Sequence, residues 1–157
     1  MSKPSFVYVT YIRSTPDKVW QALTDPAITE RYWYGFRVAA SGRAGEHMTA
    51  IDPDGKEVHR DVILVSDPPR RLAYAWRPLY DEFKHERASR VTIDIMPLKD
   101  QVRLTVTHDD FDESSVVFEK ITEGWPSVLS SLKSYLETGR ALSTPVWRSA
   151  SEAEMHA

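Results

Sequence analysis

Apolar and polar residues alternate in short runs along most of the chain, and in two places the apolar spacing changes to three or four. The run from Phe6 to Arg13, FVYVTYIR, is β-branched and aromatic, which suits a pleated, half-buried surface and predicts a first strand. Ser14-Thr15-Pro16-Asp17 then supplies a hydroxyl N-cap, a proline for the first helical turn and an early carboxylate that complements the helix dipole. Val19, Trp20 and Leu23 form an apolar stripe, and Asp25-Pro26 stops that helix and starts another. A short helix pair is therefore predicted from Pro16 to Trp33.

Six further strands are predicted at 36–39, 46–51, 57–65, 71–77, 89–96 and 101–107. Between them lie turn signals: Ser41-Gly42-Arg43-Ala44-Gly45, Asp52-Pro53-Asp54-Gly55, and Asp67-Pro68-Pro69, which lacks the donors of a central ladder. Val91, Ile93 and Ile95, like Val102, Leu104 and Val106, alternate with polar residues. Each of these strands then has one wet and one buried face, as in an antiparallel sheet.

A second helical period runs over 114–137, carried by Val117, Phe118, Ile121, Trp125, Val128, Leu129, Leu132 and Leu136, with Gly139 as its C-cap. Pro126 lies inside it and clashes with the carbonyl four residues back, so a kink or a broken first half is expected near Thr122. Beyond Gly139 the periodicity ends. The expected organisation is one domain over 5–142 and a flexible, dispensable tail over 143–157, with Trp147 as its sole docking anchor.

Composition narrows the function. A chain of 157 residues can bury a core and a cavity without disulfides or a structural metal. The absence of cysteine removes thiolate metal sites and cysteine nucleophiles, and the absence of asparagine removes any N-glycosylation sequon. A net charge of −3 without a basic stripe leaves no footprint for nucleic acid. No apolar run approaches the roughly 20 residues that span a bilayer, and residues 1–4 lead into a strand instead of an apolar signal core. No membrane partner is expected, and a cytoplasmic location is.

Familiar catalytic constellations are missing: no Gly-x-Ser-x-Gly elbow and no His-Glu-x-x-His occur. Gly42 and Gly45 join two strands instead of opening a helix, so they read as a turn and not as a phosphate cradle. Asp81, Glu82, His85 and Glu86 carry ligand chemistry but share their segment with Lys84 and Arg87, and read as a solvated loop; no metal is expected. His108-Asp109-Asp110 offers an imidazole beside carboxylates, for which the favoured reading is a solvated strand end. His59 and Asp61 share one face of a strand. Val58, Val62 and Leu64 form a competing apolar face, which favours His59 and Asp61 pointing outward; an inward face would need them bonded to each other, to water or to a ligand.

Several strings agree with one known family. VWQALTDPAITERYW at 19–33, DPPRRLAYAWRP at 67–78, SRVTIDI at 89–95, LTVTHDDF at 104–111 and GWPSVLSSLKSYLETG at 124–139 resemble the activator-of-heat-shock-protein-90-ATPase homologue family, of the START and birch-pollen-allergen superfamily. The resemblance covers about Ser5 to Leu142. One departure stands out: the aromatic pair after the second helix, usually Trp-Trp in the family, is Tyr32-Trp33 here, which puts a hydroxyl near the expected cavity mouth. The resemblance implies an α+β helix-grip fold: a curved antiparallel sheet of six or seven strands wrapped around the long C-terminal helix, with the helix pair after the first strand. Bacterial single-domain members leave an apolar cavity between sheet and helix. The resemblance places Trp20, Tyr32, Trp33, Met48, Tyr74, Trp76, Ile93, Val106, Phe118, Trp125 and Leu129 around it, with His59 and Asp61 as its polar candidates. Each ring alone reads as ordinary core; together some subset lines a pocket.

The leading expectation is non-catalytic binding of a small hydrophobic or aromatic molecule, with no cofactor, by a monomer or homodimer. Two alternatives follow from the resemblance: a chaperone-associated interaction domain tied to stress response, and a cyclase-, aromatase- or hydrolase-like enzyme. Fold alone does not choose between them.

Overall fold

The computed structural model describes residues 4–40, 42–113 and 115–145. The chain order is β1 (Phe6–Ile12), α1 (Pro16–Thr24), α2 (Pro26–Tyr32), β2 (Arg37–Ala39), β3 (His47–Ile51), β4 (Glu57–Asp67), β5 (Arg71–Trp76), β6 (Ser89–Pro97), β7 (Val102–Asp109) and α3 (Val116–Thr138). This is the helix-grip arrangement. One curled seven-stranded antiparallel sheet, in the order β1-β7-β6-β5-β4-β3-β2, closes on α3.

Local chemistry accounts for most element ends. Thr15 caps α1 by accepting the Lys18 N–H at 3.3 Å, and Asp25 caps α2 by accepting the Ala27 N–H at 2.9 Å. The turn between β3 and β4 is held by Asp52, whose Oδ1 accepts from the N–H groups of Asp54 and Lys56 at 3.0 and 2.9 Å. Ser115 caps α3 through the Phe118 N–H. Gly139 ends α3 in the left-handed region, φ 81°, donating its N–H to the Tyr135 carbonyl at 2.8 Å.

The break expected in α3 is absent, since the helix continues through Pro126. Its buried stripe, including Ile121, Trp125, Val128 and Leu132, lies within one hydrophobic core that also holds the inward residues of β6 and β7. Core contacts there offset the loss of one helical hydrogen bond at the proline. The far end of α3 is tied to β1: Glu137 Oε2 accepts from the Arg13 N–H at 2.8 Å and from Lys133 Nζ, which also donates to the Tyr11 carbonyl.

After α3 the chain folds back, with the Leu142 N–H donating to Ser131 Oγ at 3.1 Å. Pro145 is buried, three residues past the expected domain end. Residues 146–157 of the expected tail, Trp147 among them, lie outside the described residues. Among the described residues, no helix is long and apolar enough to cross a membrane.

Candidate ligand cavity

A cavity of about 520 Å³ lies between the β2–β5 part of the sheet and the first half of α3. Its floor is built by strand pairing. Met48 stands opposite Asp61 and Ala50 opposite His59, so these four side chains share one face, as do Val38 opposite Ala50 and Tyr74 opposite Ile63. From α3, Ile121, Gly124, Trp125 and Val128 supply the opposite wall at the i, i+3, i+4, i+7 spacing of one helical face. Trp33 and Phe36, from the segment after α2, and Trp76, at the end of β5, add ring faces.

The outward orientation expected for His59 and Asp61 is wrong: both line the cavity, and Asp61 is only 2% exposed. Two bulges explain it. Ala50 pairs with His59 but Ile51 with Glu57, leaving Val58 as an extra residue that resets the alternation and is buried. A second shift at Leu64 separates the pairs Ile63–Tyr74 and Val65–Ala73. Val58 therefore does not share the environment of Val62 and Leu64, which lie 37% and 42% exposed on the opposite side of the sheet.

Asp61 Oδ1 accepts from the Arg77 N–H at 2.7 Å, where the chain leaves β5. Burial disfavours the charged form and pushes its carboxyl well above the usual carboxylate range, against the opposing pull of that hydrogen bond. The His59 ring packs on Trp76, with centroids 4.8 Å apart, and meets the Tyr80 ring edge-on at 6.3 Å. Its Nδ1 is buried without a hydrogen-bond partner, and burial lowers its pKa to about 4. The floor thus holds an imidazole that is uncharged at neutral pH and a carboxyl whose proton burial holds more tightly than in an ordinary aspartate.

Behind the wall lies a second polar group. His108 was expected at a solvated strand end, but it is fully buried. It continues the inward phase of Val102, Leu104 and Val106 along β7, and that parity was the signal for its position. The Trp125 indole N–H donates to His108 Nδ1 at 3.0 Å, and His108 Nε2 lies 2.7 Å from Ser89 Oγ. Because an indole only donates, the proton of the neutral imidazole belongs on Nε2 and is donated to Ser89. Burial, aided by neighbouring His59, lowers the His108 pKa to about 3. The group sets the position of Trp125, whose ring also meets Trp33 at 5.9 Å.

Of the residues named from the sequence, the structure brings Trp33, Met48, Tyr74, Trp76, Trp125, His59 and Asp61 onto the cavity wall. The others stand elsewhere. Tyr32 is buried, donates its hydroxyl to the Ala22 carbonyl at 2.7 Å and stacks with Tyr135; its hydroxyl is not at the cavity mouth. Ile93, Val106 and Leu129 are core, Trp20 packs beside that core, and Phe118 meets Phe111 edge-on at 5.2 Å.

The segment after β5 departs from the solvated loop expected of it. Asp81 pairs with Lys84 at 2.8 Å on the surface, whereas Tyr80 and Phe83 turn toward the cavity and Phe83 is 7% exposed. Glu86 accepts from the hydroxyl of Ser115, the cap of α3. The signal was the i, i+3 spacing of two rings in the charged string Tyr80-Asp81-Glu82-Phe83. Exposed Glu82, Lys120 and Glu123 surround the mouth. Among the described residues, no group of three or more metal-ligating side chains occurs.

The family model described as activator of Hsp90 ATPase homolog 1-like protein matches residues 13–137. The chain belongs to this family. A comparison with curated proteins gives no match. Solved structures share the fold of this Hsp90 ATPase activator homologue-like chain. The solution structure of the Aha1 dimer from Colwellia psychrerythraea has a TM-score of 0.72 at 18% identity, covering 88% of this chain and 99% of that one. PFC0360w, an HSP90 activator from Plasmodium falciparum, has a TM-score of 0.69 at 19% identity, covering 84% and 95%. CalU16 from Micromonospora echinospora has a TM-score of 0.69 at 21% identity, covering 96% and 80%. At these identities the likeness is one of fold.

Proposed function

We propose that this family member binds a small hydrophobic or aromatic molecule in the cavity between sheet and α3, and performs no reaction on it. The observation that carries this reading is the wall itself: rings from the segment after α2, from β5, from the loop after β5 and from α3 converge on about 520 Å³, a volume suited to a small-molecule ligand. The chemistry of the floor supports binding over catalysis. An imidazole with a pKa of about 4 is a weak base at neutral pH, and a carboxyl whose ionised form is disfavoured by burial is not poised as a nucleophile.

Titration with an environment-sensitive apolar dye tests the reading. Saturable binding at micromolar concentration and about one dye per chain is expected, with a changed affinity in Trp33→Ala and Trp76→Ala proteins that keep their circular dichroism spectrum. Should no hydrophobic probe bind, a second reading leads. Family membership favours it: association with an Hsp90-type chaperone, tested by pull-down with the chaperone's middle domain at micromolar concentration.

A further inference from the structure

We propose that the ligand of this cavity is a cation, a primary or secondary ammonium on an apolar or aromatic body, held by Asp61 and His59 among the surrounding ring faces. The inference rests on the cavity-binding reading and assigns the ligand a charge.

The geometry begins with two side chains two residues apart on β4. Asp61 uses Oδ1 for the Arg77 N–H, and Oδ2 has no hydrogen bond among the described residues. His59 lines the same cavity, and neither of its ring nitrogens has a hydrogen-bond partner among the described residues, Nδ1 being the buried one. An ammonium brings two or three N–H donors, which match a carboxylate oxygen and an imidazole nitrogen at once. Around them stand the rings of Trp33, Tyr74, Trp76 and Tyr80, and an aromatic face turned to a cation attracts it electrostatically. A neutral apolar ligand would leave both polar groups unsatisfied, a cost that grows as the cavity dries.

The charges facing Asp61 leave that role open. From β3, His47 Nδ1 lies 3.3 Å from the Asp61 carbonyl oxygen, and from β5 come the Tyr74 hydroxyl and, just past the strand, the main chain of Arg77, whose residue is exposed. His59 is its neighbour on β4, Tyr80 and Glu82 belong to the covering loop, and Lys120 and Glu123 to α3. Among the described residues no ion pair neutralises Asp61. At the mouth two carboxylates accompany one ammonium, a balance that favours an entering cation.

Proton balance follows. Without a cation nearby, burial keeps the Asp61 carboxyl protonated beyond the range of an ordinary aspartate. The ligand enters already charged, the protonated fraction of Asp61 gives its proton to solvent, and the carboxylate and ammonium form the buried pair. Binding therefore releases a proton and tightens with rising pH, until the ligand's own amine begins to deprotonate. His59 takes no part in this titration, because burial lowers its pKa to about 4.

The experiment compares two probes that differ in one group, naphthalen-2-ylmethylammonium and naphthalen-2-ylmethanol, by calorimetry on the full chain in phosphate and Tris buffers between about pH 6 and 8. The ammonium should bind about tenfold or more tightly than the alcohol, and its buffer-dependent heat should report release of up to one proton, greatest at the acid end. Asp61→Asn, which keeps an acceptor for the Arg77 N–H, should bring the ratio of affinities near unity. Equal affinities in the parent protein, a preference that survives Asp61→Asn, or no proton release at any pH would overturn the inference. If the alcohol binds as well as the ammonium, the cavity reading stands and only the assigned charge fails; if neither probe binds, both fall. The proton count needs only the parent protein, so it decides the matter even if the variant does not fold.

Discussion

The indole N–H of Trp125 donates to Nδ1 of His108 across 3.0 Å and ties the cavity wall on α3 to the sheet at β7. His108 donates its own Nε2–H to the Ser89 hydroxyl of β6, so helix and two strands share one chain of hydrogen bonds. Such a buried chain is costly to leave half made, because each group stripped of its partner has already lost water.

His108→Phe keeps an aromatic ring in a site already lined by Trp76 and Phe111, but leaves the Trp125 N–H and the Ser89 hydroxyl unpaired. A loss of about 2–4 kcal/mol in urea titration is expected, with a shift in tryptophan emission. A loss under about 0.5 kcal/mol would show that the chain of bonds adds little to stability.

Trp125→Ala removes a ring that is 7% exposed and belongs to both the core and the cavity wall. The expected cost is about 3–5 kcal/mol. Dye affinity should change in the same protein, because the site it leaves opens into the cavity.

Acid should weaken the fold through two histidines. His59 and His108 have folded pKa values of about 4 and 3, below the 6.5 of a free imidazole, so between these limits the unfolded chain binds more protons. Their contribution is fully present above about pH 6.5 and is lost as pH falls toward 4 and then 3. Urea midpoints measured down this range should fall, and replacing His59 by Gln should flatten the descent.

Asp61 acts with the opposite sign. Its folded pKa is raised, so above the ordinary aspartate value of 3.8 the unfolded chain ionises while the folded one resists, and its contribution to stability declines as pH rises. Asp61→Asn should therefore stabilise the unliganded protein at neutral pH, on the order of 1 kcal/mol, with the gain vanishing toward pH 4. A melting temperature lowered at neutral pH would mean that the carboxyl is already satisfied in the free protein.

Secondary structure was largely legible because its signals are local. The hydroxyl and carboxylate caps at Thr15 and Asp25, the Asp52 turn, the glycine stop at Gly139 and the alternation in β6 and β7 each act within a few residues. The joint presence of Trp33, Tyr74, Trp76 and Trp125 on one wall was expected from the resemblance, whereas the choice of those rings over Tyr32 and Phe118 was not.

By itself, then, the sequence determined the elements, their order and the supply of ring-bearing residues, because caps, turns and apolar periods act through neighbouring backbone groups. The tertiary structure decided which way the polar residues face. A bulge at Val58 and the pairing of Met48 and Ala50 with Asp61 and His59 turn those two inward, since a strand's phase depends on what its partner strand buries. Contacts across the chain also carried α3 through Pro126 and brought Tyr80 and Phe83 to the cavity. Such contacts join residues far apart in sequence, and no local pattern encodes their distances.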